Sequence, residues 1–306
     1  MMQQLVNDYV MVRRSTGFSF RTEETMLRGF ASFAAGCGDR FIRTRTAIAW
    51  ASLARSAGQR GRRLGYLRSF ARFAIGLDVR HELPPPQVFG RPPGRRAPFI
   101  LSDQQIADIL IAAKWIPPVD SLRPKVFVTL FGLLAVTGLR VSEATALRLD
   151  DVTPDGLLVR ETKFHKSRLV PLHRSTEEAL GRYIDARSRE RTSDSALFMA
   201  WRTRRRMTPA SARQAFSKIV RELGIKRPSS HGRERPRLHD LRHTFTVRSL
   251  EQACTDVRSV AEHTVALSTY LGHVDFRSTY WYLEGTPQLL KIIGGACEAY
   301  FRRGAR

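Results

Sequence analysis

The sequence predicts a mostly α-helical protein with one small antiparallel β-sheet, divided into two domains. Three observations lead to this fold class. Apolar residues recur at spacings of three and four along much of the 306-residue chain, which is the periodicity of amphipathic helices. A proline-rich segment at residues 83–98 interrupts that pattern, and a pair of short strand-like runs lies within residues 157–172.

Residues 1–82 are predicted to form a domain of four short helices. The apolar periodicity is clear in T-M-L-R-G-F-A-S-F-A-A, in A-I-A-W-A-S-L-A and in L-G-Y-L-R-S-F-A-R-F-A. Four glycines are predicted to separate these helices, namely Gly36, Gly38, Gly58 and Gly61. Many arginines fall at helix starts and on polar faces, where side chains and backbone N–H groups can both contact phosphates.

The segment L-P-P-P-Q-V-F-G-R-P-P-G-R-R-A-P, residues 83–98, is predicted to be an extended, basic interdomain linker. Its prolines exclude helix and its glycines allow turns. The second domain then comprises residues 99–306. Nearly half of the excess positive charge precedes this domain, so both parts of the chain are basic.

Helix starts in the second domain follow from capping signals. They are predicted at Ser102 with Gln105, at Ser175 with Glu178, and at Thr208 with Pro209. The last of these helices has one apolar face and stops at Gly224. Between the first two lies T-P-D-G, a turn, followed by the runs L-L-V-R and R-L-V-P-L, which predict a hairpin over residues 157–172 with Lys163 near its tip.

The composition indicates a polyanionic partner. The net charge is +23 and the pI is near 11.2, and these values favour nucleic acid. A membrane surface is the competing interpretation, but the basic residues are spread along the chain rather than gathered in one amphipathic helix. With no apolar run of about 18 residues and no secretory signal, the expectation is a cytoplasmic, DNA-associated protein. Three distant cysteines provide neither a disulfide framework nor a metal knuckle.

Two arginines stand in contexts suited to holding a DNA phosphate. A phosphodiester gains negative charge in its five-coordinate transition state, and planar, permanently charged guanidinium groups can neutralise that charge. Arg140 follows a Thr-Gly that ends an apolar helix and opens V-S-E-A-T-A-L, so it is predicted at a helix start. Arg242 lies three residues after His239 in L-H-D-L-R-H, which predicts both on one helical face.

A tyrosine can attack such a phosphate if its proton is removed and the leaving 5′ oxygen is protonated. Tyr282, in S-T-Y-W-Y-L, is the candidate nucleophile. Tyr280 is the alternative, because residues two apart on a helix point about 200° away from each other and only one can face the phosphate.

Three further residues are candidates for transferring protons and contacting the phosphate. His239 and His273 are candidates for proton acceptor and phosphate donor, and Lys163 is the candidate general acid, with Lys166 as its alternative. A metal pair at His239 and His243 is a further interpretation. It is weak, because H-D-L-R-H lacks the glutamate of H-E-x-x-H and a third ligand is not evident. No cofactor and no metal are therefore expected.

From about Leu101 to Leu290 the chain resembles the catalytic domain of the tyrosine recombinases, the phage integrase family. Four stretches carry the resemblance: T-G-L-R-V-S-E-A-T-A-L, T-K-F-H-K-S-R-L-V-P-L, L-H-D-L-R-H-T-F and L-G-H-V-D-F-R-S-T-Y-W-Y. The first and third are highly specific when they occur in this order.

The resemblance implies a catalytic role for six residues, which are Arg140, Lys163, His239, Arg242, His273 and Tyr282. It favours Lys163 over Lys166, since the family's lysine stands eight residues before the proline that ends the second strand. It favours Tyr282 because the family's nucleophile stands nine residues after the histidine of L-G-H.

The resemblance also implies the assembly. Residues 1–82 would be a core-binding domain that closes a C-shaped clamp round double-stranded DNA with the catalytic domain. Four protomers, as a homo-tetramer or a mixed assembly of related recombinases, would exchange two duplexes. The segment at about residues 287–306 would dock on a neighbouring protomer.

The implied reaction is site-specific recombination through a 3′-phosphotyrosyl bond, which conserves bond energy and needs neither ATP nor metal. Two alternatives stay open from the sequence. One is a type IB topoisomerase-like enzyme that relaxes DNA without sequence choice. The other is a catalytically silent DNA-binding accessory factor.

Overall fold

The computed structural model describes residues 2–17, 20–90, 98–160, 167–190, 192–227, 234–252, 257–272 and 294–295. The chain divides into two compact units, Met1–Arg95 and Arg96–Arg306. Both units are built mainly of helices, and the described strands form one small antiparallel sheet in the second unit. The predicted fold class is confirmed. Among the described helices, none combines the length and apolar character needed to cross a bilayer.

The first unit is a bundle of helices around one apolar core. Its described helices are α1 (Met2–Ser15), α2 (Arg21–Gly36), α3 (Thr44–Ser52) and α4 (Ala57–Leu77). Each helix contributes a buried face at the predicted spacing, as Leu27 and Phe30 do on α2. The rings of Phe30 and Trp50 meet edge to face at 5.5 Å, so that α2 and α3 are joined through aromatic packing.

Two of the four glycines predicted to separate helices lie inside one. Gly58 and Gly61 fall in the first turns of α4, which is 21 residues long rather than short. The helix begins after Ser56, whose hydroxyl accepts a hydrogen bond from the Gln59 backbone N–H at 3.3 Å. Each exposed glycine costs about 1 kcal/mol relative to alanine. The long buried face of α4 outweighs that cost, so this prediction was wrong.

The second unit surrounds α6, its most apolar helix. The described helices are α5 (Asp103–Ala113), α6 (Leu122–Thr137), α7 (Val141–Ala146), α8 (Arg174–Ser188), α9 (Pro209–Glu222), α10 (Asp240–Gln252) and α11 (Val257–Leu271). Helix α6 packs against α5, α8 and α10, and both Leu130 and Phe131 are fully buried. Phe131 meets Phe216 of α9 edge to face at 5.5 Å. The apolar sequence of α6 therefore forms the centre of this unit.

Two of the three predicted helix starts are confirmed. Ser102 and Gln105 form a reciprocal capping box, and Thr208 caps α9 with Pro209 at its first position. The third was wrong: the cap of α8 is His173, two residues before Ser175, and its Nδ1 accepts the Ser175 backbone N–H at 3.3 Å. Glu178, the predicted capping partner of Ser175, instead accepts a hydrogen bond from Arg174 along the helix at 3.2 Å.

The sheet contains the predicted hairpin and one further short strand. A 3₁₀ turn at Leu149–Asp151 leads into β1 (Val152–Thr153), which pairs with β2 (Gly156–Val159), and β2 pairs with β3 (Arg168–Val170). All pairs are antiparallel. The hairpin tip, residues 161–166 with Lys163 and Lys166, lies outside the described residues.

Gly138 ends α6 in the left-handed conformation with φ 61°, as the Thr-Gly pair predicts. A Cβ there would lie 2.5 Å from Phe245 Cδ1 and 3.0 Å from Leu271 Cδ2. Gly138→Ala is therefore expected to lower the free energy of unfolding by roughly 2 kcal/mol or more. Urea unfolding measures this loss.

Gly181→Ala is the matched control, since a Cβ at Gly181 within α8 meets no atom within 4 Å. It should leave stability unchanged or raise it by up to about 1 kcal/mol, because alanine favours helix. Equal unfolding midpoints for the two variants would contradict the close approach at Gly138.

Candidate active site

The candidate active site begins where α6 ends. Gly138 turns the chain, Leu139 is buried, and Arg140 takes an extended conformation that caps the start of α7. Arg140 therefore stands at a helix N-terminus, as its sequence context predicts. The partial positive charge of a helix N-terminus lies beside a guanidinium there, which favours an anion.

The Arg140 side chain is held on two sides. Its Nη1 donates to Glu143 Oε1 at 2.6 Å, while its backbone N–H donates to Glu143 Oε2 at 3.0 Å. Its Nη2 donates to the carbonyl of Gly272 at 3.3 Å. The side chain nevertheless remains 34% exposed. The guanidinium is thus oriented and still accessible to a phosphate.

Arg242 is buried in the first turn of α10, with only 2% of the residue exposed. Its Nη1 donates to the Gly138 carbonyl at 2.6 Å, and its Nη2 donates to the Leu271 carbonyl at 3.1 Å. Arg242 therefore contacts the turn from which Arg140 projects, and the two arginines donate to the consecutive carbonyls of Leu271 and Gly272 at the end of α11. They come together although 102 residues separate them.

His239 lies immediately before the first residue of α10 and is exposed. The prediction that it shares a helical face with Arg242 was wrong, because Asp240 begins the helix and its carboxylate accepts the Arg237 N–H at 2.6 Å. The His239 and His243 rings meet edge to face at 4.6 Å. Within the described residues, three ligands suited to a metal do not cluster.

Three predicted catalytic residues lie outside the described residues: Lys163, His273 and Tyr282. The alternatives Lys166 and Tyr280 do as well. His273 directly follows Gly272, whose carbonyl accepts from Arg140. The assignments of these residues stay predictions.

Glu143 and Arg168 complete a cluster of four charged residues with Arg140 and Arg242, and neither was predicted from the sequence. Glu143 is 9% exposed and accepts from both Arg140 and Arg168. Its burial acts to raise its pKa, but hydrogen bonds and charge from Arg168, together with the bonds from Arg140, outweigh burial and lower the pKa. Glu143 is thus held as a carboxylate. Its spacing three residues after Arg140, as in a capping box, was the available signal.

This cluster holds three guanidinium groups and one carboxylate, so its net charge is positive. It lies partly out of water, where charges act more strongly on a bound ion than they do in bulk solvent. Such an arrangement suits an oxyanion, and it suits a phosphate whose charge grows during a reaction. The cluster itself contains no described nucleophile.

Comparison with known proteins identifies the family of the chain that carries this cluster. Residues 100–288 match the model of the phage integrase family, a span that holds every member of the cluster. The chain belongs to the phage integrase family. It is a tyrosine recombinase, and the recognition made from the four sequence motifs is confirmed.

Two relatives illustrate the similarity of this tyrosine recombinase to others. It is 37% identical over 300 residues to the protein named integrase/recombinase y4rB of Sinorhizobium fredii (strain NBRC 101917 / NGR234), covering 94% of each chain. It is 32% identical over 238 residues to the tyrosine recombinase XerC of Azotobacter vinelandii (strain DJ / ATCC BAA-1303), covering 76% of this chain and 71% of XerC. Its activity class is site-specific DNA recombination.

A solved structure shows the same fold. The integrase of the transposon Tn1549, in complex with transposon right end DNA, aligns with a TM-score of 0.68 over 100% of this chain and 99% of that one. Only 17% of the aligned residues are identical. The fold is therefore shared far beyond the level at which sequence is retained.

Proposed function

We propose that this tyrosine recombinase cuts one strand of double-stranded DNA per protomer, with Tyr282 as the nucleophile. The Tyr282 oxygen attacks the scissile phosphorus, and the bond from phosphorus to the 5′ oxygen breaks. The products are a 3′-phosphotyrosyl bond and a 5′-hydroxyl. The 5′-hydroxyl of a partner strand then attacks the phosphotyrosyl bond, which rejoins the DNA and releases Tyr282. One ester replaces another, so neither ATP nor a metal is consumed or required.

The convergence of Arg140 and Arg242 on the consecutive carbonyls of Gly272 and Leu271 is the observation that carries this proposal. Arg140 is accessible, and its fork is suited to direct contact with the non-bridging oxygens. Arg242 is buried, so its charge acts through a medium that screens it weakly, and its hydrogen bonds fix the backbone beside the phosphate. In this proposal Arg140 contacts the phosphate, and Arg242 supports the backbone next to it.

The remaining roles concern protons. His239 and His273 serve as proton acceptor for the tyrosine and donor to the phosphate, and Lys163 protonates the leaving 5′ oxygen as general acid. His239 is exposed at the start of the helix that carries the buried Arg242. The exposure of His239 and the position of His273 directly after Gly272 support these roles.

The proposed partner is duplex DNA in the cytoplasm. Residues 1–82 act as the core-binding domain and residues 99–306 as the catalytic domain, with residues 83–98 linking them. Since one protomer cuts one strand, exchange of two duplexes requires four protomers, as a homo-tetramer or with related recombinases. The segment at about residues 287–306 docks on a neighbouring protomer in this assembly.

The test uses purified full-length protein and duplexes built from the DNA that flanks its gene, each with a nick near the candidate site. The nick lets the short fragment that bears the new 5′-hydroxyl diffuse away, so a covalent adduct accumulates and survives denaturation in SDS. The adduct is expected in EDTA and without ATP. Salt-sensitive binding without any adduct would contradict the proposal and favour an accessory factor. Relaxation of unrelated plasmids by substoichiometric protein would favour a topoisomerase.

A further inference from the structure

Arg168, the first residue of β3, contacts two of the segments that carry the candidate active site. Its Nη2 donates to Glu143 Oε2 at 2.8 Å, its Nη1 donates to Glu143 Oε1 at 3.3 Å, and its Nε donates to the Tyr270 carbonyl at 2.9 Å. Its side chain is 14% exposed. One guanidinium therefore joins the hairpin to α7 and to the end of α11.

The backbone of Gly272 is packed directly against this guanidinium. A Cβ at Gly272 would lie 2.9 Å from Arg168 Nη1 and 3.1 Å from its Cζ, and the residue has φ 67°. Only glycine combines that conformation with that approach. Gly272, the residue immediately before His273, thus packs directly against the Arg168 guanidinium.

The charges explain what this contact does for Arg140. Glu143 is shared between two guanidinium groups, so one negative charge faces two positive charges. Without Arg168, the carboxylate would neutralise Arg140 alone and would be free to turn. With Arg168 in place, the group of three keeps a net positive charge and Arg140 keeps its direction.

We propose that Arg168 is a positioning residue for DNA cleavage, holding Glu143 and the Tyr270–Gly272 backbone so that the direction of the Arg140 guanidinium is fixed. This inference rests on the proposed function. Arg168 acts through its neighbours and need not contact DNA.

The test compares Arg168→Gln, Arg168→Lys and the control Arg160→Gln. Arg160 lies next to β2 in the same hairpin, pairs with Asp151, and has a side chain that is 55% exposed. Its replacement removes the same charge from the same hairpin without touching Glu143. Three quantities are measured on each full-length variant: the single-turnover rate of adduct formation at saturating protein, the Kd for uncleaved duplex, and the Tm.

Arg168→Gln is expected to slow adduct formation by about 10- to 100-fold, as loss of charge-assisted hydrogen bonds does, with Kd changed less than about threefold. Arg168→Lys should recover part of the rate, because it keeps the charge but loses the fork. Arg160→Gln should cleave within about threefold of wild type. A merely structural role would lower the Tm without this separation of rate from Kd.

The double variant Arg168→Gln with Glu143→Gln decides whether Arg168 acts through Glu143. It is measured beside the single variants Arg168→Gln and Glu143→Gln. Its rate should be close to that of the slower of these two, because the two residues act as a unit. Multiplication of the two effects would overturn the inference and indicate direct contact with phosphate. If wild type forms the adduct and Arg168→Gln does so at the same rate, the inference fails while the proposed function stands. If wild type forms no adduct, the proposed function fails.

Discussion

Tyr282→Phe is expected to abolish the covalent protein–DNA adduct, a loss of at least about 1,000-fold in the rate of its formation. The substitution removes the attacking oxygen and keeps the ring, so folding and DNA affinity should be unchanged. Denaturing gels of the nicked-duplex reaction measure the adduct, and gel shifts measure the affinity.

Tyr280→Phe is the matched control, since it removes the same hydroxyl two residues away. It should retain adduct formation within about threefold of wild type, because on a helix the two rings point about 200° apart. An adduct that persists in Tyr282→Phe and disappears in Tyr280→Phe would exchange the two assignments.

Arg242→Ala is expected to have the second largest effect, on both stability and cleavage. The buried guanidinium donates to the carbonyls of Gly138 and Leu271, and its removal leaves both oxygens without this donor. The free energy of unfolding should fall by roughly 3 kcal/mol. Cleavage per folded molecule should fall by about 100-fold or more, because a preorganised positive charge is lost from the site. Urea unfolding and single-turnover cleavage measure the two effects.

Arg248→Ala provides the control on the same helix. Arg248 also bridges to another segment, through Asp103 and the Leu101 carbonyl, but its side chain is 32% exposed. Its replacement should cost about 1 kcal/mol or less. Arg242→Lys separates charge from geometry: it should fold better than Arg242→Ala and still cleave poorly. Equal behaviour of the alanine variants at Arg242 and Arg248 would contradict the role given to burial.

The fold was predictable from the sequence where local chemistry decides it. Ser102 and Thr208 fix helix starts because their cap hydrogen bonds, from the N–H groups of Gln105 and Ser211, join residues three apart in the chain. The prediction at Ser175 was wrong because His173, two residues earlier, supplies a competing acceptor. The prediction that Gly58 and Gly61 separate helices was wrong because a long buried face stabilises α4 more than two exposed glycines destabilise it.

In the candidate site, too, only the positions that local sequence determines were predictable. Arg140 was placed correctly at a helix start, since the residues on either side determine that position. The burial of Arg242 follows from carbonyls 104 and 29 residues away, and no local pattern distinguishes it from an exposed arginine. Arg168 is harder still, because its partners lie 25 and 102 residues distant and the chain is rich in arginine.

Mapping the amino acid bonded to DNA tests the central claim most directly. The adduct formed by wild-type protein is digested with nuclease and trypsin, and the nucleotide-bearing peptide is sequenced by tandem mass spectrometry. Tyr280 and Tyr282 fall in one tryptic peptide, residues 278–291, so fragmentation must separate them. The account predicts a nucleotide joined through its 3′ phosphate to Tyr282. A nucleotide on Tyr280 or on a serine, or a bond to the 5′ phosphate, would contradict it.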